Sequence, residues 1–298
     1  MAKNMVSDAV ILPLQKTLKT FCVKTGYTED SVFEGLLDYM IGFLNPSLTP
    51  EPNPAWKFKP EDNETFHDMM MQVIRITQEQ IPKKGWYDPF GDLYMALHSN
   101  GGGKEQYFTP PSVATATAQL TVGGVEPSGT MTPMGRRICI SDPAGGSGRL
   151  ALAGYCKMIE CMQKQWGHDA RWTEAHRPYI SVEDLDFNCV KMAALNICLH
   201  SAYGEAVCHD TLCEPDKVRL GFIVGEADWP FPTGIPSVRK ETNPLRFVCT
   251  RQWLQQQEIK KMKEQSQESG VSDFTPETPL SDPVQPKEKK QAVQLTLW

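Results

Sequence analysis

Apolar residues recur at three- and four-residue steps from Asp30 onward, at Val32, Phe33, Leu36, Leu37, Met40 and Leu44. That period predicts an amphipathic helix, which Asn45-Pro46 ends. A proline-rich loop follows, from Asn45 to Pro60. A second helix is expected from Asp62 or Asn63, with Phe66, Met70, Val73 and Ile74 on its apolar face, stopping near Ile81-Pro82. The methionines from Met69 to Met71 read as core filling, because an unbranched thioether adapts to irregular gaps. Residues 1–96 are therefore expected to form a helical region.

Beyond Asp88 the pattern changes. Short apolar runs at Arg137–Ser141 and Tyr179–Glu183 predict buried strands, with a helix between them from about Gly148 to Lys164. A further helix, from Asn188 to about His200, turns Val190, Ala193, Ala194, Ile197 and Cys198 towards the sheet. Ala206–Cys208, Phe222–Val224 and Leu245–Cys249 read as additional strands. Strands alternating with amphipathic helices indicate an α/β domain with a mostly parallel, doubly wound sheet, expected over residues 97–255. After about Glu258 the chain collapses into Lys, Glu, Gln, Ser and Pro, which cannot bury enough apolar surface to offset ordering. Residues 256–298 are expected to be a disordered tail.

Composition narrows the reading. The chain has 298 residues, room for one sizeable α/β domain with appendages. A formal charge of −6 argues against indiscriminate coating of nucleic acid but leaves a local groove open. The nine cysteines form no CxxC pair, so neither a zinc site nor a disulfide scaffold is suggested. The N-terminus lacks an apolar leader, and no apolar run approaches the ~20 residues of a membrane span. The expected location is cytoplasmic.

The strongest local signal is Asp142-Pro-Ala-Gly-Gly-Ser-Gly148, directly after one predicted strand and before a helix. Glycines there let the backbone turn sharply and approach a ligand without Cβ interference. No Lys-Ser/Thr follows, which disfavours a nucleoside triphosphate, and GGSG does not fit the GxGxxG of a nicotinamide dehydrogenase. Asp184 and Asp186 end the next strand, where a carboxylate can accept both ribose hydroxyls of a nucleoside cofactor; helix capping is the other use of such residues. Asp210 follows the third strand and could face an adenine ring. Three ligand positions at three successive strand ends suit a site of an open α/β sheet.

These residues resemble the adenine-specific DNA methyltransferases. Asp142–Gly148 looks like their motif I, DPACGSG, with Gly145 in place of the cysteine. Gly103-Lys-Glu-Gln-Tyr-Phe-Thr-Pro-Pro111 resembles the GQFFTP segment of type I modification subunits. Glu183–Asp186 with Met192-Ala-Ala-Leu-Asn196 is similar to motif II and its helix. Asp88-Pro-Phe-Gly-Asp-Leu-Tyr-Met95 is similar to the DPLGDxYM lead-in of small phage- and plasmid-borne adenine methylases. The resemblance implies a Rossmann-like sheet that binds S-adenosylmethionine. Cofactor residues would be Tyr107, Phe108, Thr109, Pro110, Asp142, Pro143, Gly145, Gly146, Ser147, Gly148, Asp184, Asp186 and Asp210; no metal is implied.

Enzymes of that family present Asp/Asn-Pro-Pro-Tyr/Phe after the fourth strand. By resemblance, Asp228, Trp229, Pro230 and Phe231 would accept the two hydrogens of adenine's exocyclic amine and stack on the flipped base. The partner would be DNA; the sheet is short after Phe231, so either its substrate half is trimmed or a second subunit completes it. The alternative is a degenerate relative that binds cofactor and DNA, replication or restriction partners without transferring methyl. Methylation of protein glutamine or of RNA amines uses a similar tetrapeptide. Gln294, Leu295, Leu297 and Trp298 resemble the peptide that docks on bacterial sliding clamps.

Overall fold

The structure, a computed structural model, describes residues 9–45, 56–98, 108–123, 139–166, 178–212, 220–225, 237–268 and 295–296. Four helices open the chain: α1 (Leu12–Thr25), α2 (Glu29–Leu44), α3 (Asn63–Lys84) and α4 (Pro89–Leu97). α5 (Pro111–Val122), α6 (Arg149–Trp166) and α7 (Phe187–Leu199) follow, and α8 (Val248–Glu268) comes last. α2 starts where Thr28 caps it by accepting from the Ser31 N–H, and α1 ends where Gly26 turns left-handed at φ 79°. α3 runs past the expected stop. Pro82 lies in its last turn at the loss of one i→i−4 hydrogen bond, and Gly85 ends it.

Three strands, β1 (Cys139–Asp142), β2 (Tyr179–Asp184) and β3 (Tyr203–Cys208), run parallel, with Ile140 opposite Ile180 and Ile180 opposite Gly204. Their crossovers, α6 and α7, lie against the sheet, and α2 leans on α7. The fold is thus Rossmann-like α/β in this half. The other half departs from the parallel expectation. β4 (Leu220–Val224) pairs antiparallel with β3, and β5 (Val238–Glu241) pairs antiparallel with β4. A parallel return needs a crossover of a dozen or more residues, usually helical, and only residues 209–219 separate β3 from β4. On the far side of β1 lies a two-residue strand, β6 (Leu295–Thr296), so the order is β5-β4-β3-β2-β1-β6.

The helical region is not separate from the sheet. Leu14, Leu36, Met70 and Phe90 belong to the same continuous core as Ile140, Val182, Ala194 and Phe222. The predicted strand Leu245–Cys249 is instead a 3₁₀ turn, Pro244–Arg246, followed by α8, and the polar segment expected to lack structure from residue 256 is helical to Glu268. The reason is tertiary. Glu205 of β3, fully buried, accepts the Val248 and Cys249 N–H groups at 2.7 and 3.0 Å. It satisfies orphan donors of the first turn, which outweighs the β-propensity of Val248 and Cys249.

Candidate functional site

The bend after β1 is built as a cradle. Asp142 ends β1 beside Val182 of β2. The chain then folds back on the sheet: Gly145 N–H donates to the Glu183 carbonyl at 3.0 Å, and Gly148 N–H to the Gly145 carbonyl at 2.8 Å. Gly146 N–H donates to Asp184 Oδ2 at 2.9 Å, so the carboxylate expected to hold a sugar stands against the bend. The other oxygen of Asp184 accepts the Asp186 N–H at 2.8 Å. Gly146 has φ 55°, and a Cβ on it would lie 2.8 Å from the Phe108 ring. A Cβ on Gly145 would lie 2.5 Å from Val182 Cγ1 and 3.1 Å from Asp142 Cγ. Glycine at 145 thus has a steric reason: Val182 fills the space that a side chain would need.

Asp142 is the electrostatic centre of this cradle. Its carboxyl is fully buried, and the Ala144 N–H beside it, which holds its pKa down in part, is too poorly aligned to satisfy either oxygen. Burial pushes its pKa up to about 7, and the neighbouring Asp184 charge adds to the rise. A buried acceptor without a donor is costly, and a ligand carrying N–H donors or positive charge relieves it. The ammonium and sulfonium of S-adenosylmethionine are such groups, so the residues present fit the cofactor.

The remaining expected ligands divide. Phe108 is buried over Gly146, and Thr109 and Pro110 lead into α5, with the Pro110 carbonyl accepting from Val113 and Ala114. Asp186 caps α7 by accepting the Asn188 N–H at 2.8 Å. Asp210 accepts the Leu212 N–H at 3.1 Å within its own turn. Pro143 lies in the turn after β1, and Ser147 is buried. Tyr107 lies outside the described residues. The structure adds two residues that periodicity does not single out: Leu185 and Leu212 are 70% and 95% exposed on the turns after β2 and β3. Large apolar side chains left in water beside Asp184 and Asp210 suit the faces of a flat heterocycle. Behind them Glu183 and His209 form a buried pair at 2.8 Å that ties the ends of β2 and β3 together.

A second missed feature is the support of the bend. Asp88, between α3 and α4, accepts Ser147 Oγ at 2.5 Å and Arg149 Nε at 2.9 Å through Oδ2. Its Oδ1 accepts Asn196 Nδ2 at 2.7 Å and the Gly91 N–H at 2.8 Å. The signal was present in Arg149, the one charge among residues 149–156 at the start of α6, since a buried charge is almost always paired.

The tetrapeptide Asp228, Trp229, Pro230 and Phe231 lies outside the described residues, but its flanks are described. Val224 is level with Gly204, Ile180 and Ile140, so β4 ends at the edge of the sheet opposite the bend. There Gly225 N–H bonds the Ser237 carbonyl at 3.0 Å. Three residue steps and three strand spacings separate Gly225 from Asp142, roughly 17 Å. Asp228 is three residues beyond Gly225, a reach of at most ~11 Å. Gln294, Leu297 and Trp298 also lie outside the described residues; Leu295 stands opposite Ile140. Among the described residues no helix is long and apolar enough to cross a membrane.

No family model matches the chain, and no curated protein matches it in sequence. Among solved structures it is similar to a chain assigned to the class I S-adenosylmethionine-dependent methyltransferases from Listeria monocytogenes, at 13% identity and TM-score 0.39, over 68% of this chain and 52% of that one. It is also similar to a type I restriction-modification methyltransferase subunit from Streptococcus thermophilus, at 18% identity and TM-score 0.29, over 62% and 40%. A third similarity is to the ATP-dependent type ISP restriction-modification enzyme LlaBIII bound to DNA, at 14% identity and TM-score 0.30, over 64% and 14%. The chain spans about half or less of the length of each.

Proposed function

We propose that this chain binds S-adenosylmethionine in the bend of residues 142–148. The observation that carries the reading is the pairing of Gly146 N–H with Asp184 above the unpartnered carboxyl of Asp142. Asp184 would exchange that amide for the ribose hydroxyls, and Asp142 would balance the cofactor's positive charge. Leu185 and Leu212 would hold the adenine ring, and Phe108 would wall the methionine end. Bound there, S-adenosylmethionine supplies an electrophilic methyl group on a sulfonium. By the resemblance stated above, the acceptor would be the exocyclic amine of adenine in DNA, with Asp228 and Phe231 receiving the base.

A second reading has its own support: a cofactor-binding relative that engages DNA, a restriction partner or the sliding clamp without transferring methyl. Its support is the pairing of β4, which runs antiparallel to β3 and ends with Val224 level with Gly204, near the start of the parallel strands. Calorimetric titration with S-adenosylmethionine tests the shared claim; no heat of binding at saturating cofactor removes both readings. Labelled-methyl transfer to plasmid DNA, abolished in Asp228→Ala, would select the enzyme. Binding without incorporation into DNA, RNA or protein would select the second reading.

A further inference from the structure

We propose that Asp88 is the positioning residue of the cofactor bend, so that seating of α4 and affinity for S-adenosylmethionine form one equilibrium. The inference rests on the reading of the bend as the cofactor site and adds its control.

Three chain segments far apart in sequence meet on one ion pair. Asp88 caps α4 through Gly91 and, with its second oxygen, holds Ser147 and Arg149, the two residues that flank Gly148. Arg149 spends its remaining nitrogens on the other two segments. Its Nη2 donates to Asp92 of α4 at 2.8 Å, and its Nη1 donates to the Thr109 carbonyl at 3.1 Å. Thr109 follows Phe108, whose ring closes over Gly146. Asn196 of α7 completes the cluster by donating to Asp88 and to the Ser147 carbonyl. The exit of the bend and the wall that covers it are therefore both attached to α4 through one guanidinium.

A purely structural use explains this arrangement poorly. Capping α4 requires only the Asp88–Gly91 contact. A buried ion pair adds little net stability over an apolar replacement, because desolvation offsets the attraction. Here two carboxylates share one guanidinium, with side chains 1% and 15% exposed, and burial pushes the Asp92 carboxyl upward. What the cluster does supply is geometry: planar, directed bonds fix the bend and Thr109 to the same helix. Linkage then requires reciprocity. If a seated α4 strengthens cofactor binding by some factor, bound cofactor strengthens the seating of α4 by that factor.

The test uses the full chain. Asp88→Asn keeps the size of the side chain and an acceptor for Gly91 but removes the charge facing Arg149. Calorimetry measures cofactor affinity, and amide exchange follows residues 89–97 with and without saturating S-adenosylmethionine. In the unaltered chain the cofactor slows exchange across 89–97. In Asp88→Asn affinity falls roughly 10- to 100-fold, within the usual range of coupling, and the cofactor-induced slowing disappears. Binding within two-fold of the unaltered chain by a folded variant overturns the proposal, as does exchange at 89–97 that ignores cofactor in the unaltered chain. Should Asp88→Asn fail to fold, Asp92→Asn carries the same test, with about a five-fold loss expected and undiminished affinity overturning it. Absence of binding by the unaltered chain is a distinct result: it removes the cofactor reading and this inference together.

Discussion

The two halves of the sheet are built on different plans. In the half formed by β1, β2 and β3, parallel strands deliver a glycine bend, two acidic turns and a buried unpartnered carboxyl to one edge. In the half formed by β4 and β5, an antiparallel hairpin returns the chain to the opposite edge. The first half is the one to which cofactor binding is assigned in the proposed function. Among the described residues, the strand beside β1 is the two-residue β6. Cofactor binding and group transfer are separable properties, and substitutions in the two halves can probe them separately.

The contrast can be tested by substitutions in each half. The largest expected effect is on pH dependence. A carboxyl whose folded pKa of about 7 lies above its ordinary 3.8 contributes stability fully present below about pH 4 and lost as pH rises towards 7. Asp142→Asn should remove that loss, at most on the order of 4 kcal/mol, so urea unfolding of the variant should show a flatter pH profile than the parent. The parent should bind S-adenosylmethionine more tightly at pH 8 than at pH 6, because the ionised carboxyl is the one that meets a cation. In the hairpin half, Glu205→Gln should cost about 2–4 kcal/mol in the same unfolding measurement. It disturbs acceptors for Ser181, Tyr179, Val248 and Cys249 at once.

Back at the bend, Asp184→Ala should weaken cofactor binding about 100-fold by calorimetry, equivalent to ~2.7 kcal/mol. Gly145→Cys places a side chain where Val182 lies and should destabilise by ~1–3 kcal/mol through that contact. Adding Val182→Ala should recover part of that loss; a Gly145→Cys variant as stable as the parent would refute the steric account. The smallest effect is the most telling for the contrast. Asp228→Ala should leave cofactor affinity within two-fold, and a large loss there would mean that the two edges of the sheet are not independent.

Much of the first half was legible because its signals are local. The period of Val32, Leu36, Met40 and Leu44 gives α2, and Asp142–Gly148 between a strand and a helix gives the bend. The same period marks Leu14, Leu18, Phe21 and Cys22 for α1. Asp186 illustrates the limit of motif reading: its type suits a ribose ligand, yet its side chain caps α7. Asp88 and Arg149 could each be noticed as charges beside apolar runs, but 61 positions separate them, and nothing local pairs them.

By itself the chain specified a glycine bend followed by acidic strand ends, because backbone period and turn chemistry are properties of neighbouring residues. Tertiary structure alone decided the direction of β4, the helical identity of residues 248–268 and the attachment of the bend to α4. Those depend on which hydrogen-bond donors and buried charges find partners across the fold, and such partners are not neighbours along the chain.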